Sequence, residues 1–364
     1  MSDEFISGLR SDLVEAAARE AARGRVGRVA RPLRPRVWNR RVALGAAGLA
    51  AAAAAFVAVV LALASPRPAE TARPRIVATI ATGTVPVCAS FAAGRLWIAD
   101  FNHQLVAVDV AGRRVARRVG IGLNPTALAA AQGEIWVRVE SQTQKTPDHV
   151  LRIDSATGRT TARITVGRGP GLAADERWVW APLTFSSSPT AGVDRIDRAR
   201  GVVAGRLDLA GVAGVVSADG LLWAPTRDAA MVEIDAATGR ILKRFPGIAP
   251  NVGSAMVAAD RGLWLLTTQG AQIVRFAGQR IVDRVPVDPD ALPLLARTSG
   301  GLWTVTGSPG SVGGKPTRLV RIDPDTHRVT GTIGLGPQAV ATIIGAGRDL
   351  LVVTEIGRVI VVRG

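Results

Sequence analysis

One phrase recurs through most of this chain: a turn followed by an apolar strand with a central tryptophan. The six clear copies contain Trp97, Trp136, Trp180, Trp223, Trp264 and Trp303. A seventh copy at 347–353 has Leu351 in place of the tryptophan. Successive copies lie 39 to 48 residues apart, which is the period of a four-stranded propeller blade. The repeat therefore predicts seven blades in an all-β architecture.

Each unit contains the same order of short segments. A Pro- or Gly-led apolar strand precedes the tryptophan strand, and an alternating strand that ends in aspartate follows it, as at 150–154 and 231–235. A tight turn, Ala-Thr-Gly-Arg at 156–159 and again at 237–240, then leads to a fourth strand. We expect the aspartates to be structural, because aspartate and a glycine with positive φ suit a hydrogen-bonded turn.

The last unit is one strand short. Its segments 338–344, 350–354 and 358–362 match the first three strands of the repeat. The fourth-strand pattern is found instead before the first complete unit, at 75–83. Pairing 75–83 beside 358–362 leaves no open edge between the first and last blades. The sequence thus predicts a seven-bladed β-propeller of four-stranded blades over 75–364, closed by its N-terminal strand.

The residues before the repeats differ in composition. Residues 1–41 are arginine-rich and include a helical pattern at 3–22. Residues 42–64 contain no charged residue, and an apolar run of about 20 residues can cross a bilayer as a helix. Residues 65–74 are proline-rich, which favours an extended spacer. We therefore expect a basic cytoplasmic tail with a short helix, one transmembrane helix and a Pro-rich linker before the propeller.

The flanking arginines predict the orientation of this segment. Arg40 and Arg41 precede the apolar run, so the positive-inside rule places the N-terminus in the cytoplasm and the propeller outside the cell membrane. A secretory signal peptide has a shorter basic region and a shorter apolar core, so an uncleaved single-pass anchor is the preferred interpretation. The small residues at 62–64 match a cleavage site, and release of the propeller after Ala64 is the alternative.

The tryptophan strand, the Ile-Asp strand, the Ala-Thr-Gly-Arg turn and the run Ile-Thr-Val-Gly-Arg-Gly-Pro at 164–170 together resemble the YVTN-type β-propeller repeat. They are also similar to virginiamycin B lyase-like and quinoprotein amine dehydrogenase-like propellers. The resemblance covers about residues 75–364 and implies a surface or exported binding module of bacteria. It implies a fold rather than an activity, because functions are grafted onto the loops of such repeats.

The longest connections predict where a ligand binds. In a propeller, the loops between the second and third strands and the connections to the next blade share one face. The long insertions 141–149, 184–192 and 307–317 fall in the first class, and such loops often carry binding residues. We expect a site for polar or anionic groups on this face. Its candidate residues are Asn124, Lys145, His149, Arg168, Asn251 and Gln338, joined by Asp148.

Few residues suit catalysis or metal binding. The histidines His103, His149 and His327 fall in different blades and lack metal-ligand spacing. A lyase needs a general base, and His149 beside Asp148 is the loop histidine on the favoured face. Cys88, the one cysteine, is expected to be a buried and inert thiol in the first strand of the first blade. We therefore predict no catalytic residue, metal or cofactor.

The net charge of +16 is spread along the chain, and over residues 75–364 there is no basic run interleaved with aromatic residues, which argues against a nucleic-acid groove. The predicted function is that of a membrane-anchored, extracytoplasmic binding or scaffolding module. Its expected partners are the membrane and a protein or cell-envelope polymer. The alternative is an enzyme, either a virginiamycin B lyase-like lyase or a quinoprotein-dehydrogenase-like protein, with its site on the loop face.

Overall fold

The computed structural model describes residues 73–141, 146–183, 191–248, 255–260, 262–267, 271–307 and 314–364. These residues form seven sheets of four strands each, which confirms the all-β propeller. The expected tail at 1–41, the transmembrane helix at 42–64 and residues 65–72 of the linker lie outside the described residues. Within the described ranges, no helix has the length and hydropathy needed to cross a bilayer.

Each blade is an antiparallel meander, and its strands are numbered in chain order. The first strand of the chain is β1 (Arg75–Ala81). Blade 1 contains β2 (Pro86–Ala92), β3 (Arg95–Asp100), β4 (Gln104–Asp109) and β5 (Arg114–Gly120). Blade 2 contains β6 (Asn124–Ala131), β7 (Glu134–Glu140), β8 (Asp148–Asp154) and β9 (Thr160–Val166). Blade 3 contains β10 (Ala173–Ala174), β11 (Trp178–Leu183), β12 (Gly192–Asp197) and β13 (Val202–Leu207).

The remaining blades follow the same order. Blade 4 contains β14 (Val216–Ala218), β15 (Leu221–Pro225), β16 (Met231–Asp235) and β17 (Ile241–Phe245). Blade 5 contains β18 (Met256–Ala259), β19 (Gly262–Thr267), β20 (Gln272–Ala277) and β21 (Arg280–Pro286). Blade 6 contains β22 (Ala291–Thr298), β23 (Gly301–Thr306), β24 (Thr317–Ile322) and β25 (Val329–Gly336). Blade 7 contains β26 (Val340–Ala346), β27 (Asp349–Thr354) and β28 (Arg358–Arg363), and β1 is its fourth strand.

The ring closes as the sequence predicts. Strand β1 pairs antiparallel with β28, with Ile80 opposite Val359 and Ala81 opposite Arg358. Beyond the strand, the amide of Thr82 donates to the carbonyl oxygen of Gly357 at 2.9 Å. The N-terminal strand is thereby joined to the last blade, and blades 7 and 1 become neighbours in the ring. We call the interface between blades 7 and 1 the closure seam.

Clusters of buried side chains fill the space between successive blades. Trp97 of blade 1 packs in one cluster with Ile135 and Val137 of blade 2. The other five tryptophans of the repeat lie likewise in clusters shared with the following blade: Trp136, Trp180, Trp223, Trp264 and Trp303. All six indoles are at most 1% exposed, so the repeated tryptophans belong to the core between the blades. At the closure seam, Leu351 takes the place of the indole, in a cluster with Ile80 and Leu96.

Blades 2, 3, 5 and 6 place an arginine of the third strand opposite the tryptophan of the second, and in blades 2, 5 and 6 the arginine lies over that ring. The pairs are Trp136 with Arg152, Trp264 with Arg275 and Trp303 with Arg321, and their guanidinium carbons lie 5.7, 5.2 and 5.9 Å from the ring centres. Such distances allow cation–π attraction. Blade 4 instead has Glu233 opposite Trp223. Glu233 is buried, and burial raises the pKa of its carboxyl.

The aspartates that end the third strands hold the turns, as expected. The carboxylates of Asp154 and Asp235 accept hydrogen bonds from the amide and hydroxyl of Thr157 and Thr238, at 2.6 to 2.8 Å. These hydrogen bonds hold the pKa of both carboxyls below the usual value. His327 has a φ of 59° at the turn position that glycine fills in blades 2, 3 and 4, so it is part of the tight turn.

The strand order gives the ring two faces. The second-to-third loops meet the connections between blades on one face, which we call the loop face; there the amide of Glu355 donates to the carbonyl oxygen of Ala339 at 3.1 Å. The tight first-to-second and third-to-fourth turns meet on the other, the turn face, where Ser155 N donates to Gly133 O at 2.9 Å. Because β1 is a fourth strand, the chain joins the propeller at Arg75 on the turn face.

Replacing Ile80 by alanine tests the packing of the closure seam. Ile80 is 4% exposed, so Ile80→Ala should lower the free energy of unfolding by about 2–4 kcal/mol. Ile76→Ala on the same strand is the matched control, because Ile76 is 45% exposed and its loss should cost about 0.5 kcal/mol or less. Urea unfolding followed by tryptophan fluorescence compares the two variants. Equal losses would contradict a seam that is packed through Ile80.

Candidate functional site

Two of the residues predicted for a ligand site lie together on the loop face of blade 2. Asn124 begins β6, is exposed and pairs with Glu140 at the end of β7. Arg168, on the connection from blade 2 to blade 3, forms an ion pair with the carboxylate of Glu140. The structure therefore joins Asn124 and Arg168 through an acidic residue that the sequence analysis did not single out.

The Asp148–His149 pair is not a loop site. Both residues belong to β8, where His149 lies opposite Val139 and Thr165, so the long loop ends earlier than the sequence indicated. Burial and the nearby charge of Arg163 lower the pKa of His149. The Asp148 carboxylate is buried and accepts a hydrogen bond from Arg138 Nε at 3.1 Å. This carboxylate is therefore part of a structural ion pair.

The Arg138–Asp148 ion pair explains why β8 begins as early as Asp148. Arg138 is fully buried and also donates to the carbonyl oxygens of Pro182, at 2.8 Å, and Gly167 on the neighbouring blade. A buried guanidinium needs such partners, because an unpaired buried charge is strongly destabilising. The ion pair thus fixes the contact between blades 2 and 3 beneath the loop face.

The other predicted residues are distributed around the ring. Gln338 precedes the innermost strand of blade 7, and its carbonyl oxygen accepts a hydrogen bond from the Thr317 hydroxyl at 2.7 Å. Its side-chain oxygen is buried and makes no hydrogen bond among the described residues. Lys145 and Asn251 lie outside the described residues. Of the four candidates that the structure describes, Asn124 and Arg168 lie together, through Glu140.

Four exposed apolar side chains lie together on the loop face at the closure seam. They are Val85, Val87, Phe101 and Ile356, with exposed fractions of 56, 41, 65 and 64%. We call these four residues the seam patch. The other exposed large apolar side chains in the described ranges all belong to outermost strands: Ile76, Val202, Val203, Ile241, Val282 and Val329. A cluster of exposed apolar residues on loops is typical of an interaction surface.

Backbone contacts across the seam hold the patch together. The amide of Phe101, in the loop after β3, donates to the carbonyl oxygen of Val85 at 2.9 Å. Ile356 precedes Gly357, whose φ is 71°. A Cβ at Gly357 would lie 2.3 Å from the Thr84 carbonyl oxygen, so only glycine allows the two loops to approach this closely. Phe101 of blade 1 and Ile356 of blade 7 are thus held on either side of Thr84 and Val85.

A β-bulge accounts for the position of Val87. The register of β2 against β3 shifts between Pro86 and Cys88, so Val87 is the extra residue. Blades 2 and 7 have the same bulge, with Thr126 and Ala341 at the bulged position. Bulges re-aim side chains, and blade 1 is the one of these three blades with a large apolar residue there.

A buried carboxylate organises the backbone beneath the patch. Asp100 is fully buried and accepts hydrogen bonds from the amide of Val85 at 2.9 Å and from Gln104 Nε2 at 2.7 Å. Burial acts to raise the pKa of Asp100, but hydrogen bonds from Gln104, Val85 and Asn102 outweigh it and hold the pKa below its usual value. The ionised carboxylate therefore fixes the loop of Phe101 against the connection that contains Val85.

Polar and charged residues surround the seam patch. Asn102, His103, Glu355 and Arg358 are exposed neighbours of its members in sequence, and Arg118 reaches the seam from β5. The patch also lies between two of the predicted residues. The carbonyl oxygen of His103 accepts hydrogen bonds from Ile121 and Gly122, just before Asn124, and Glu355 is bonded to Ala339, next to Gln338. Asn124 and Gln338, two of the residues predicted for a ligand site, therefore lie on either side of the seam patch.

The described residues contain no group of three or more His, Cys, Asp or Glu that could hold a metal ion. Cys88 belongs to β2 as predicted, and burial raises the pKa of its thiol to about 12. A cavity of about 350 Å³ opens on the turn face beside Trp178. The guanidinium carbons of Arg177 and Arg195 lie 4.6 and 4.3 Å from the centre of that indole. The guanidinium groups of two arginines of the protein therefore already lie against the Trp178 ring.

Comparison with solved structures supports the fold. The crystal structure of the β-propeller domain of Cps50 (Swd1) from Myceliophteria thermophila matches with a TM-score of 0.60 and 17% sequence identity, over 80% of this chain and 99% of that one. At this identity the likeness shows the propeller fold alone. No protein-family model matches the chain, and no curated protein matches it.

The role of Asp100 predicts a pH-dependent loss of stability in Asp100→Asn. Because the folded pKa of Asp100 lies below its unfolded value, the stabilisation is present above about pH 4 and is lost as the pH falls through the folded pKa. At pH 7 the variant should lose about 1–3 kcal/mol, through weaker hydrogen bonds to the Val85 and Gln104 donors. Thermal unfolding between pH 2 and 8 measures the difference, with the exposed Asp208→Asn as control. A difference that stays constant with pH would contradict this role.

Proposed function

We propose that this chain is a membrane-anchored scaffold whose propeller binds another polypeptide through the seam patch. The observation that carries the proposal is the clustering of Val85, Val87, Phe101 and Ile356 on one face. Protein-binding surfaces typically combine an apolar centre that includes aromatic residues with a polar rim, and the seam patch has both. Phe101, the most exposed of the four, is the natural anchor because truncation of central aromatic residues usually costs the most affinity.

The rigidity of the surface supports the same proposal. Phe101 and Val85 are joined by a backbone hydrogen bond, and the carboxylate of Asp100 holds both loops. A surface that is already ordered loses less conformational entropy on binding than a flexible loop does. The seam patch therefore presents its apolar side chains in fixed positions.

The proposed anchor rests on residues 42–64. An uncharged stretch of this length, preceded by Arg40 and Arg41, favours a single-pass helix with the N-terminus in the cytoplasm and the propeller outside. The first strand of the propeller begins at Arg75 on the turn face, which is opposite the loop face of the seam patch. The resemblance of the repeats to YVTN-type and virginiamycin B lyase-like propellers favours an exported bacterial binding module.

Photo-crosslinking in cells tests the binding surface. A photoreactive phenylalanine analogue at position 101 or 356 should give the same covalent adduct with a second polypeptide, because both side chains belong to one surface. The matched control is position 203, where Val203 is 40% exposed on the outer strand of blade 3. Denaturing gels followed by mass spectrometry identify the adducts. Different adducts at 101 and 356, or an equal yield at 203, would contradict a shared docking surface.

Cell fractionation tests the anchor separately. The full chain should sediment with membranes and resist extraction by high salt and alkaline carbonate, whereas deletion of 42–64 should make it soluble, because the uncharged segment is removed. In intact cells, a membrane-impermeant maleimide should label Val203→Cys more strongly than the unsubstituted protein, because Cys88 is partly buried and the raised pKa of its thiol disfavours the reactive thiolate. Labelling of Val203→Cys only after cell lysis would contradict the proposed orientation.

A further inference from the structure

The charged groups around the seam patch are distributed unevenly. Arg118 and Arg358 lie on the side of the outer strands, since Arg118 belongs to β5 and Arg358 pairs with Ala81 at the end of β1. Glu355 lies on the inner side, where its amide bonds to Ala339 just before the innermost strand of blade 7. The patch is therefore basic on its outer edge and acidic toward the ring axis.

The two arginines bracket one short stretch of backbone beside the patch. The guanidinium of Arg118 donates to the carbonyl oxygen of Thr82, and a Cβ at Gly83 would lie 3.7 Å from Arg118 Nη2. Arg358 lies directly opposite Ala81. One residue, Thr84, separates this stretch from Val85, so both cations lie within reach of a ligand that covers the patch. Among the described residues neither guanidinium forms an ion pair with a carboxylate, although carboxylates are the partners that arginine prefers.

We propose that the seam patch recognises an extended polypeptide segment in which a large apolar side chain stands next to an aspartate or glutamate. This inference rests on the proposed function and specifies the partner of the same surface. The apolar side chain packs against Phe101 and Ile356, and the neighbouring carboxylate bonds to Arg358 and Arg118. Glu355 sets the direction of the segment, because a carboxylate on the inner side would be repelled by it.

A polypeptide fits this distribution better than a uniformly anionic surface. A membrane of anionic lipids would place negative charge against Glu355 as well as against the arginines, and part of the attraction would be lost. An extended segment can place one carboxylate at the outer edge and a neutral or basic residue at the inner edge. The net charge of +16 adds long-range attraction for acidic partners. It does not determine how a bound segment is aligned on the patch.

A random peptide library displayed on phage tests the proposal with the purified full chain as bait. Twelve-residue peptides enriched on the wild type, and lost on Phe101→Ser, should carry Asp or Glu within about three residues of a Phe, Leu, Ile, Met or Trp, because the arginines adjoin the apolar centre. Enriched peptides are then synthesised and their affinities measured by fluorescence anisotropy. Replacing the acid by its amide should weaken binding at least about tenfold, the loss expected for a charge-assisted hydrogen bond.

The variants separate the apolar and ionic contributions. Phe101→Ser should weaken both the acidic peptide and its amide counterpart, whereas Arg358→Gln should weaken only the acidic peptide. Arg358→Glu should reverse the preference, and it leaves the Arg118 contact with Thr82 in place in case that contact is needed for folding. Val203→Ser and Arg240→Gln are the matched controls, because they change an exposed apolar residue and an exposed arginine away from the seam.

The outcomes distinguish the two proposals. Enrichment of neutral or basic peptides that depends on Phe101 would leave the patch as a polypeptide-binding surface but overturn the acidic partner. Equal binding of the acidic peptide to wild type and Arg358→Gln would also overturn the acidic partner and leave the patch as a polypeptide-binding surface. Enrichment that is unaffected by Phe101→Ser would overturn both proposals. Binding of phosphatidylglycerol vesicles to the deletion of 42–64, at an affinity above that of the selected peptides and dependent on Phe101, would assign the surface to lipid.

Discussion

The contact between each tryptophan and the following blade is the interaction on which the ring depends. A single blade exposes apolar surface on both sides and buries it only when neighbours stack against it. Six of the seven interfaces are filled by an indole from the preceding blade, and Leu351 replaces it at the closure seam. The seam is therefore held by smaller side chains and by hydrogen bonds between residues far apart in sequence, such as the Thr82 hydroxyl and the Gly357 carbonyl oxygen at 2.8 Å. The interface without an indole coincides with the joint that connects the two ends of the propeller.

Closure of the ring also creates the surface we propose for binding. The strand before blade 1 ends at Ala81 in blade 7, so residues 82–85 must cross from one blade to the other on the loop face. This crossing brings Val85 against the loop of Phe101 and Thr84 against Gly357. The Asp100 carboxylate accepts a hydrogen bond from the amide of Val85 and so holds this crossing against the end of β3. The same contacts that close the ring therefore order the patch, and no flexible loop is needed to form it.

The sequence predicted the fold more completely than the site, because the fold produces a pattern that repeats in every blade and a binding surface does not. The tryptophan period, the strand pairing of 75–83 with 358–362 and the aspartate turns follow from patterns that repeat in every blade, and the structure confirms them. The search for a site looked for polar residues such as Asn124, whose position before the first proline of β6 corresponds to Val85 before Pro86 of β2. The sequence does show an apolar residue, Val85, at that position and Phe101 at a turn. These two residues indicate a surface only once the closure seam places Ile356 next to them. Whether a side chain is exposed also depends on the neighbouring blades and cannot be predicted from one strand. Glu233 shows the same limit, since its burial follows from packing between blades and not from the alternation of its own strand.

A partner that covers the seam patch would bind two blades that come from opposite ends of the propeller. Phe101 belongs to blade 1 and Ile356 to blade 7, and the closure seam between them lacks the indole that fills every other interface. A ligand that binds only the closed ring stabilises it by mass action, so occupancy of the patch and closure of the seam are thermodynamically linked. The linkage runs in both directions, because loosening β1 would separate Val85 from Phe101 and remove the surface. The position of the patch thus makes binding depend on the same residues, Thr82, Asp100 and Gly357, that join the two ends of the ring.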